Sequence, residues 1–231
     1  MDKNTTPDNR DFEKELEHIF GGCVPEPGRA KQFFDQFRLS MLYYRCAIRE
    51  METKFEVLDE EFSLRHDRNP ISSIHSRLKD GASIQQKLRK KGLPMSLVAM
   101  EQNVLDVAGI RVICPFLDDV YDLERSLLEQ DDVTLVKRKD YINNPKPNGY
   151  RSLHLIVAVP IFLSGGKRMV NVEVQIRTIA MDSWASLEHQ LRYKKDFQFS
   201  DEAEAELKIC AQLSAQLDTR MELLRQKILG D

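Results

Sequence analysis

An α+β fold, with a mixed β-sheet of about five strands flanked by helices and long helices near both ends, follows from three features of the sequence. Apolar residues recur at helical spacing in residues 29–64 and again in 201–229. Between residues 105 and 178 the period changes to runs rich in β-branched residues. Helical and turn segments interrupt those runs, so strands and helices share one region.

Each element has its own local cause. Residues 1–28 are polar and close on Gly21, Gly22, Pro25, Pro27 and Gly28, the composition of an arm with one short helix at Asp11–Ile19 and a turn. In residues 29–64, Phe33, Phe37, Met41, Tyr44, Ile48, Met51, Phe55, Leu58 and Phe62 step by three and four, with no Pro or Gly after Gly28. This is one long amphipathic helix, or two with a kink, long enough to pack between subunits as well as within one. Residues 65–80 are mixed and polar, with Asn69-Pro70 as a breaker, and are assigned neither strand nor helix. A helix over 82–91 stops at Gly92-Leu93-Pro94, and a short one covers 96–104. Residues 107–116 (VAGIRVICPF) form a buried strand, 118–130 a helix and 133–141 a strand. The segment 143–149 (NNPKPNG) has strong turn chemistry. Strands at 153–159 and 169–177 are joined by a hairpin at Ser164-Gly165-Gly166, and helices cover 179–193 and 201–229. The last carries Ala203, Leu207, Cys210, Ser214, Leu217, Met221, Leu224 and Ile228 in a heptad seam, suited to packing on the 29–64 helix of the same or a neighbouring chain.

Composition excludes several classes of function. No stretch of about 18 uncharged apolar residues is present, so no membrane-spanning helix is expected. The start, MDKNTTPDNRDFEKELEH, lacks the apolar core of a secretory signal. Cys23, Cys46, Cys114 and Cys210 lie far apart, which points away from a zinc site or disulfide framework and toward a reducing cytoplasm. The net charge of −3, from 34 basic and 37 acidic residues, gives no global attraction to nucleic acid. The charges are sorted, however. Residues 77–91 hold six basic residues against Asp80, and residues 137–151 hold Lys137, Arg138, Lys139, Lys146 and Arg151 against Asp140. That pattern fits a compact polyphosphate site better than a broad nucleic-acid surface.

Four groups of residues carry possible chemistry. Ser83, Lys87 and Lys90 fall on one helix face at i, i+4 and i+7, close behind Arg77 and Lys79. With the free N–H groups of a helix start they would grip a polyphosphate; the plain alternative is a solvated basic helix. Alternation along 170–177 puts Val172, Val174 and Ile176 on one strand face and Glu173, Gln175 and Arg177 on the other. That polar face is either simply wet or part of a site. Tyr150, Ser152 and His154 share parity in 148–154, beside Lys146 and Arg151. An aromatic ring among basic groups can stack a base and hold its phosphates; the alternative is a turn with a structural tyrosine. Asp106 stands at the entry to the strand that carries Arg111. If it meets Glu173 in space, the two carboxylates suit Mg²⁺ and phosphoryl transfer.

Together these segments resemble the (p)ppGpp synthetase domain of the RelA/SpoT-homologue family, and more narrowly a stand-alone small alarmone synthetase. The matching stretches are Arg77-Leu-Lys…Ser83…Lys87, residues 106–112 (DVAGIRV), 148–154 (NGYRSLH), and 172–178 (VEVQIRT) followed by 184–189 (WASLEH). No upstream hydrolase domain or downstream regulatory domain is recognised in the sequence. The resemblance implies a nucleotidyltransferase-like synthetase domain at 29–200, preceded by the arm and followed by a helix at 201–231 for packing and oligomerisation. It implies transfer of the β,γ-diphosphate of ATP to the 3′-hydroxyl of GTP or GDP, in a stress response. By the same carry-over Arg77 and Arg111 sandwich adenine, and Lys79, Ser83, Lys87 and Lys90 hold the ATP phosphates. Asp106 and Glu173 bind Mg²⁺, and Glu173 accepts the proton of the attacking hydroxyl. Tyr150 stacks on guanine, Lys146 and His154 hold acceptor phosphates, and Gln175, Arg177, Asp182 and Glu188 line the acceptor site. Lys90 stands where many relatives have Arg, and Asp182 where some have Asn. The stretch at 71–76 (ISSIHS) replaces the Phe/Thr/Gly-containing stretch of the subgroup with an allosteric alarmone pocket, which places this chain with the unregulated subgroup. A homotetramer is also implied. Two other readings remain at this point: the same fold acting on an adenine nucleotide or tRNA, and a nucleotide- or RNA-binding regulator without catalysis.

Overall fold

The computed structural model describes residues 27–66, 69–192 and 200–229. The expected helix at Asp11–Ile19 lies outside them.

Helix α1 (Pro27–His66) is a single 40-residue helix. Pro27 suits its first position, where a backbone N–H would lack a partner in any case. The rest are β1 (Ser73–Leu78), α2 (Gly81–Lys90), α3 (Leu97–Asn103), β2 (Ala108–Cys114), α4 (Leu117–Leu128), β3 (Thr134–Asp140), β4 (Leu153–Leu163), β5 (Gly166–Thr178), α5 (Ile179–Arg192) and α6 (Asp201–Leu229).

The five strands form one mixed sheet in the order β1-β2-β5-β4-β3. Only β2 and β5 run parallel; the other neighbours are antiparallel. One sheet face is apolar and dry. Ala108, Ile110 and Val112 of β2, Val172, Val174 and Ile176 of β5, and Leu153, Leu155 and Val157 of β4 are buried on it. Tyr44, Ile48, Met51 and Phe55 of α1 and Val120, Leu123 and Leu127 of α4 belong to the same core cluster. Phe55 and Met51 are fully buried, so this packing supplies most of the hydrophobic driving force.

The opposite face stays partly open. The register aligns Arg77 with Gly109, Gly109 with Glu173, and Glu173 with Ile156, and the adjacent row is His75, Arg111, Gln175, His154 and Lys139. Strand alternation therefore delivers polar side chains from all five strands to one surface.

Two elements differ from the sequence expectation. Strand β1 lies within the segment assigned neither strand nor helix, and extends the sheet below residue 105. Its sequence, SIHSRL, has little apolar periodicity because it is an edge strand with a single neighbour. Helix α6 packs on α5 and α4 of its own chain rather than along that chain's own α1. Trp184 Nε1 donates to the Leu207 carbonyl at 3.0 Å, Arg151 pairs with Asp218 at 2.8 Å, and Arg225 reaches Asp118 and Asp119 at 3.3 Å. These polar anchors rotate Ala211, Asp218 and Glu222 inward. The expected heptad seam is left largely exposed at Leu217, Met221, Leu224 and Ile228.

Candidate functional site

The open face of the sheet holds two adjoining cavities. The first, of about 520 Å³, is lined by His75, Arg77, Lys79, Asp106, Gly109, Arg111, Glu173 and Gln175, among others. The second, of about 170 Å³, is lined by Lys87, Lys91, Asp106, Lys137, Lys139, His154 and Glu173, among others. Asp106 and Glu173 line both. Gly109 faces the first cavity between Arg77 and Glu173, where a side chain would take up ligand space.

Asp106 sits two residues before β2. Its Oδ2 is 2.6 Å from Lys87 Nζ and 3.2 Å from Lys79 Nζ. Burial acts to raise its pKa, but these two ammonium groups outweigh it and hold the carboxyl below its usual range. The other oxygen, Oδ1, is buried without a hydrogen-bond partner. Glu173 lies on β5, opposite Gly109. Its Oε2 accepts from Gln175 Nε2 at 2.9 Å, and its Oε1 is 3.6 Å from His154 Nδ1. Burial again works to raise the pKa, and the donors His154 and Gln175 turn the balance, so Glu173 also titrates below its usual range. Both carboxylates are ionised at neutral pH.

Among the described residues no three His, Cys, Asp or Glu side chains converge on one point. A cage built by the protein alone is therefore not formed. Mg²⁺ commonly needs only one or two carboxylates, completed by substrate oxygens and water. The unpartnered Asp106 Oδ1 and the neighbouring Glu173 fit that requirement.

On the first cavity's far side, Arg111 Nη1 is 3.3 Å from Asp182 Oδ1. Burial and the neighbouring Arg177 charge lower the Arg111 pKa. Around the second cavity, Lys146 Nζ lies 4.4 Å from the centre of the Tyr150 ring, and Tyr141 stands edge-on to Tyr150 and His154. The loop bearing Tyr150 is set by Gly149 at φ +89°, a conformation that favours glycine. Gly149 N–H donates to the Lys146 carbonyl at 2.8 Å and Tyr150 N–H to Asn148 Oδ1 at 3.2 Å.

The expected site residues divide three ways. Arg77, Lys79, Asp106, Arg111, Glu173 and Gln175 meet in the first cavity; Lys87, Asp106, His154 and Glu173 meet in the second. Tyr150 adjoins them through a 2.7 Å contact between its hydroxyl and His154 Nε2. The others are placed differently. Ser83 is tied to Asp80, the cap of α2: its N–H donates to Asp80 Oδ1 at 2.7 Å and its hydroxyl to Oδ2 at 2.9 Å. That helix start is thus already capped. Lys90 is exposed on the last turn of α2. Glu188 pairs with Arg192 and accepts from Asn148. Asp182 bridges Arg111 and Arg177. Arg177 is only 4% exposed and is covered by Tyr150 rather than lining either cavity. Lys91, Lys137 and Lys139, expected only as members of the two basic clusters, also line the second cavity, and His75 lines the first with no expectation from the sequence. Their i, i+2 spacing on β3 puts Lys137 and Lys139 on one strand face.

Comparison with known proteins agrees with this geometry. A family profile described as a region found in RelA / SpoT proteins matches residues 76–198. GTP pyrophosphokinase YwaC of Bacillus subtilis is 40% identical over 198 residues, 86% of this chain and 94% of that protein. GTP pyrophosphokinase YjbM of the same organism is 34% identical over 193 residues, 84% and 90% of the two chains. The crystal structure of small alarmone synthetase 1 from Bacillus subtilis bound to its product pppGpp superposes with a TM-score of 0.76 at 34% identity, covering 84% of this chain and 98% of that one. Small alarmone synthetase 2 from Bacillus subtilis gives 0.75 at 39% identity, covering 83% and 98%.

Proposed function

We propose a division of labour for the two cavities, on the premise that this chain belongs to the RelA/SpoT family and is a GTP pyrophosphokinase of the small alarmone synthetase type. The first cavity takes ATP and the second the phosphates of GTP or GDP, and the β,γ-diphosphate passes to the 3′-hydroxyl where they meet. The observation that carries this reading is the position of Asp106 and Glu173, which line both cavities at once.

On the donor side, Arg77 and Arg111 flank the cavity and bracket the adenine. Lys79 and Lys87, already drawn together by Asp106, neutralise the transferred phosphates. Ser83 and Lys90 extend the same basic helix; Lys90 contributes a point charge rather than a bidentate grip. On the acceptor side, Tyr150 offers a ring face to guanine, where the base takes the place of Lys146. Lys146 and His154, joined by Lys137 and Lys139, meet the phosphates. Glu188 and Arg177 complete this half of the site from behind, and Gln175 and Asp182, which border the first cavity, join it to the donor half.

In-line transfer of a pyrophosphoryl group requires positioning and charge neutralisation more than a strong nucleophile. Glu173 is ionised and placed to accept the hydrogen of the 3′-hydroxyl. Asp106 and Glu173 would hold Mg²⁺, which when bound neutralises phosphate charge and polarises the scissile bond. The cation lysines and the carboxylate pair are both needed, because either set alone leaves the cavity's charge unbalanced.

A homotetramer belongs to the same proposal, with the exposed apolar residues of α6 as available surface. So does a cytoplasmic setting, consistent with the unpaired Cys46, Cys114 and Cys210. Among the described residues no helix is long and apolar enough to cross a membrane.

The test is incubation of the pure protein with labelled ATP and Mg²⁺ plus each of GTP, GDP, GMP, ATP or tRNA, followed by separation of products. Label on the 3′ position of a guanosine nucleotide is expected. Label on an adenine nucleotide or on tRNA, or no transfer at all, would overturn the reading.

A further inference from the structure

Arg177 shares the polar face of β5 with Glu173 and Gln175, yet it is buried and touches neither cavity. A buried guanidinium is costly unless its N–H groups are satisfied. Here they are committed in a specific way. Nε donates to Ser152 Oγ at 3.3 Å and Nη1 to Asp182 Oδ1 at 3.1 Å. Nη2 donates to the Tyr150 hydroxyl at 2.6 Å and to Gln175 Oε1 at 2.7 Å.

The last two bonds have consequences, because a guanidinium donates and never accepts. At Gln175 the oxygen must face Arg177, so the amide nitrogen faces the other way. That nitrogen lies 2.9 Å from Glu173 Oε2. At Tyr150 the phenol oxygen accepts from Arg177, so its single hydrogen is free for His154 Nε2, 2.7 Å away. A neutral imidazole that accepts at Nε2 carries its hydrogen on Nδ1. Nδ1 is the nitrogen 3.6 Å from Glu173 Oε1. Two branches thus leave one nitrogen of Arg177: one ends in a hydrogen bond to Glu173 Oε2, and the other brings the His154 Nδ1–H to 3.6 Å from Glu173 Oε1.

We propose that Arg177 is a positioning residue for the transfer: by fixing the amide of Gln175 and the tautomer of His154, it holds the carboxylate of Glu173 toward the substrate hydroxyl. This rests on the reading of Glu173 as the proton acceptor. Arg177 does not touch substrate. It is the common origin of both supports, and a lysine cannot replace it, since an ammonium offers no planar fork to serve four acceptors.

The test uses the full chain, with Arg177→Lys and Tyr150→Phe compared with wild type. Tyr150→Phe keeps the aromatic ring and removes only the hydroxyl of one branch, so it remains informative should Arg177→Lys fold poorly; far-UV circular dichroism and melting establish that point. With ¹⁵N-labelled histidine, two-bond ¹H–¹⁵N correlation spectra read the tautomer, and His154→Asn identifies the signal. His154 is expected as the Nδ1–H tautomer in wild type and to lose it in both variants. In steady-state kinetics kcat is expected to fall about 10–100-fold in Arg177→Lys, the range found for supporting partners of site ligands, with the KM for ATP unchanged. The inference is overturned if His154 keeps the same tautomer in both variants, or if folded Arg177→Lys turns over at the wild-type rate. Glu173→Gln in the same assay separates the two levels. If that variant remains active, the reading of Glu173 fails and Arg177 loses its role; if it is dead while the Arg177 and Tyr150 variants behave as wild type, only the inference fails.

Discussion

Replacing Gly149 by Ala should damage both stability and acceptor binding, because two independent costs coincide there. Gly149 has φ +89°. A Cβ in left-handed backbone costs about 1–2 kcal/mol. The added Cβ would also lie 2.5 Å from Ala211 Cβ on α6, far inside contact distance. Overpacking of that kind typically costs about 1–3 kcal/mol. The sum is about 2–5 kcal/mol, a large share of the roughly 5–15 kcal/mol that holds a domain together. Part of the strain can be relieved by moving the loop, and Tyr150 moves with it. Denaturant unfolding and acceptor-varied kinetics at saturating ATP measure the two effects. Ala211→Gly opens space but adds about 1 kcal/mol of helix cost. The double variant should therefore be more stable than the two single changes added together, by about the overpacking share. It should not return to wild type, because the φ strain stays. A Gly149→Ala protein with unchanged midpoint and unchanged acceptor KM would refute the reasoning. So would strict additivity with Ala211→Gly.

Two further outcomes follow from the site and its supports. Tyr150→Ala should raise the KM for GTP or GDP strongly and that for ATP weakly; equal effects on both would remove Tyr150 from the acceptor half. Asp80→Ala should cost about 1 kcal/mol through loss of the α2 cap, read as a lower unfolding midpoint. The bond from Ser83 N–H holds the Asp80 pKa below its usual range, against a smaller opposing effect of burial. The cap's contribution is therefore present above the unfolded carboxylate pKa and is lost as pH falls through the lower folded value. The stability gap between wild type and Asp80→Ala should close in acid, and a gap that widens there would contradict the assignment.

The core helices and the strands β2, β4 and β5 were legible because each buries a regular apolar face, whereas β3, exposed along its length, was legible only from its β-branched residues between turn segments. β1 was not, since an edge strand with one neighbour needs no apolar alternation to stay in place. The polar face of β5 was also legible, because Glu173, Gln175 and Arg177 alternate with valine and isoleucine. Alternation says which residues share a face, but not what covers them. That is why Arg177 reads like its neighbours in sequence and is buried beneath Tyr150 in the fold. The rotation of α6 was hidden for a related reason. Its apolar heptads suggested one orientation, whereas Trp184, Arg151, Asp118 and Asp119, distant in sequence, fix another. The pairing of Asp106 with Glu173 depends on the parallel β2–β5 register, which neither segment encodes alone.

On the proposed mechanism the carboxylates between the two cavities perform the transfer rather than hold the fold or bind nucleotide unaided. Glu173→Gln tests it most directly, because the amide is nearly isosteric and cannot take the hydroxyl proton. Turnover and equilibrium binding of a non-hydrolysable ATP analogue and of GDP should be measured on the same preparation. Transfer should be lost while both nucleotides bind within a few-fold of wild type and the melting point is retained. Transfer at the wild-type rate would contradict that mechanism, as would loss of nucleotide binding in a folded variant.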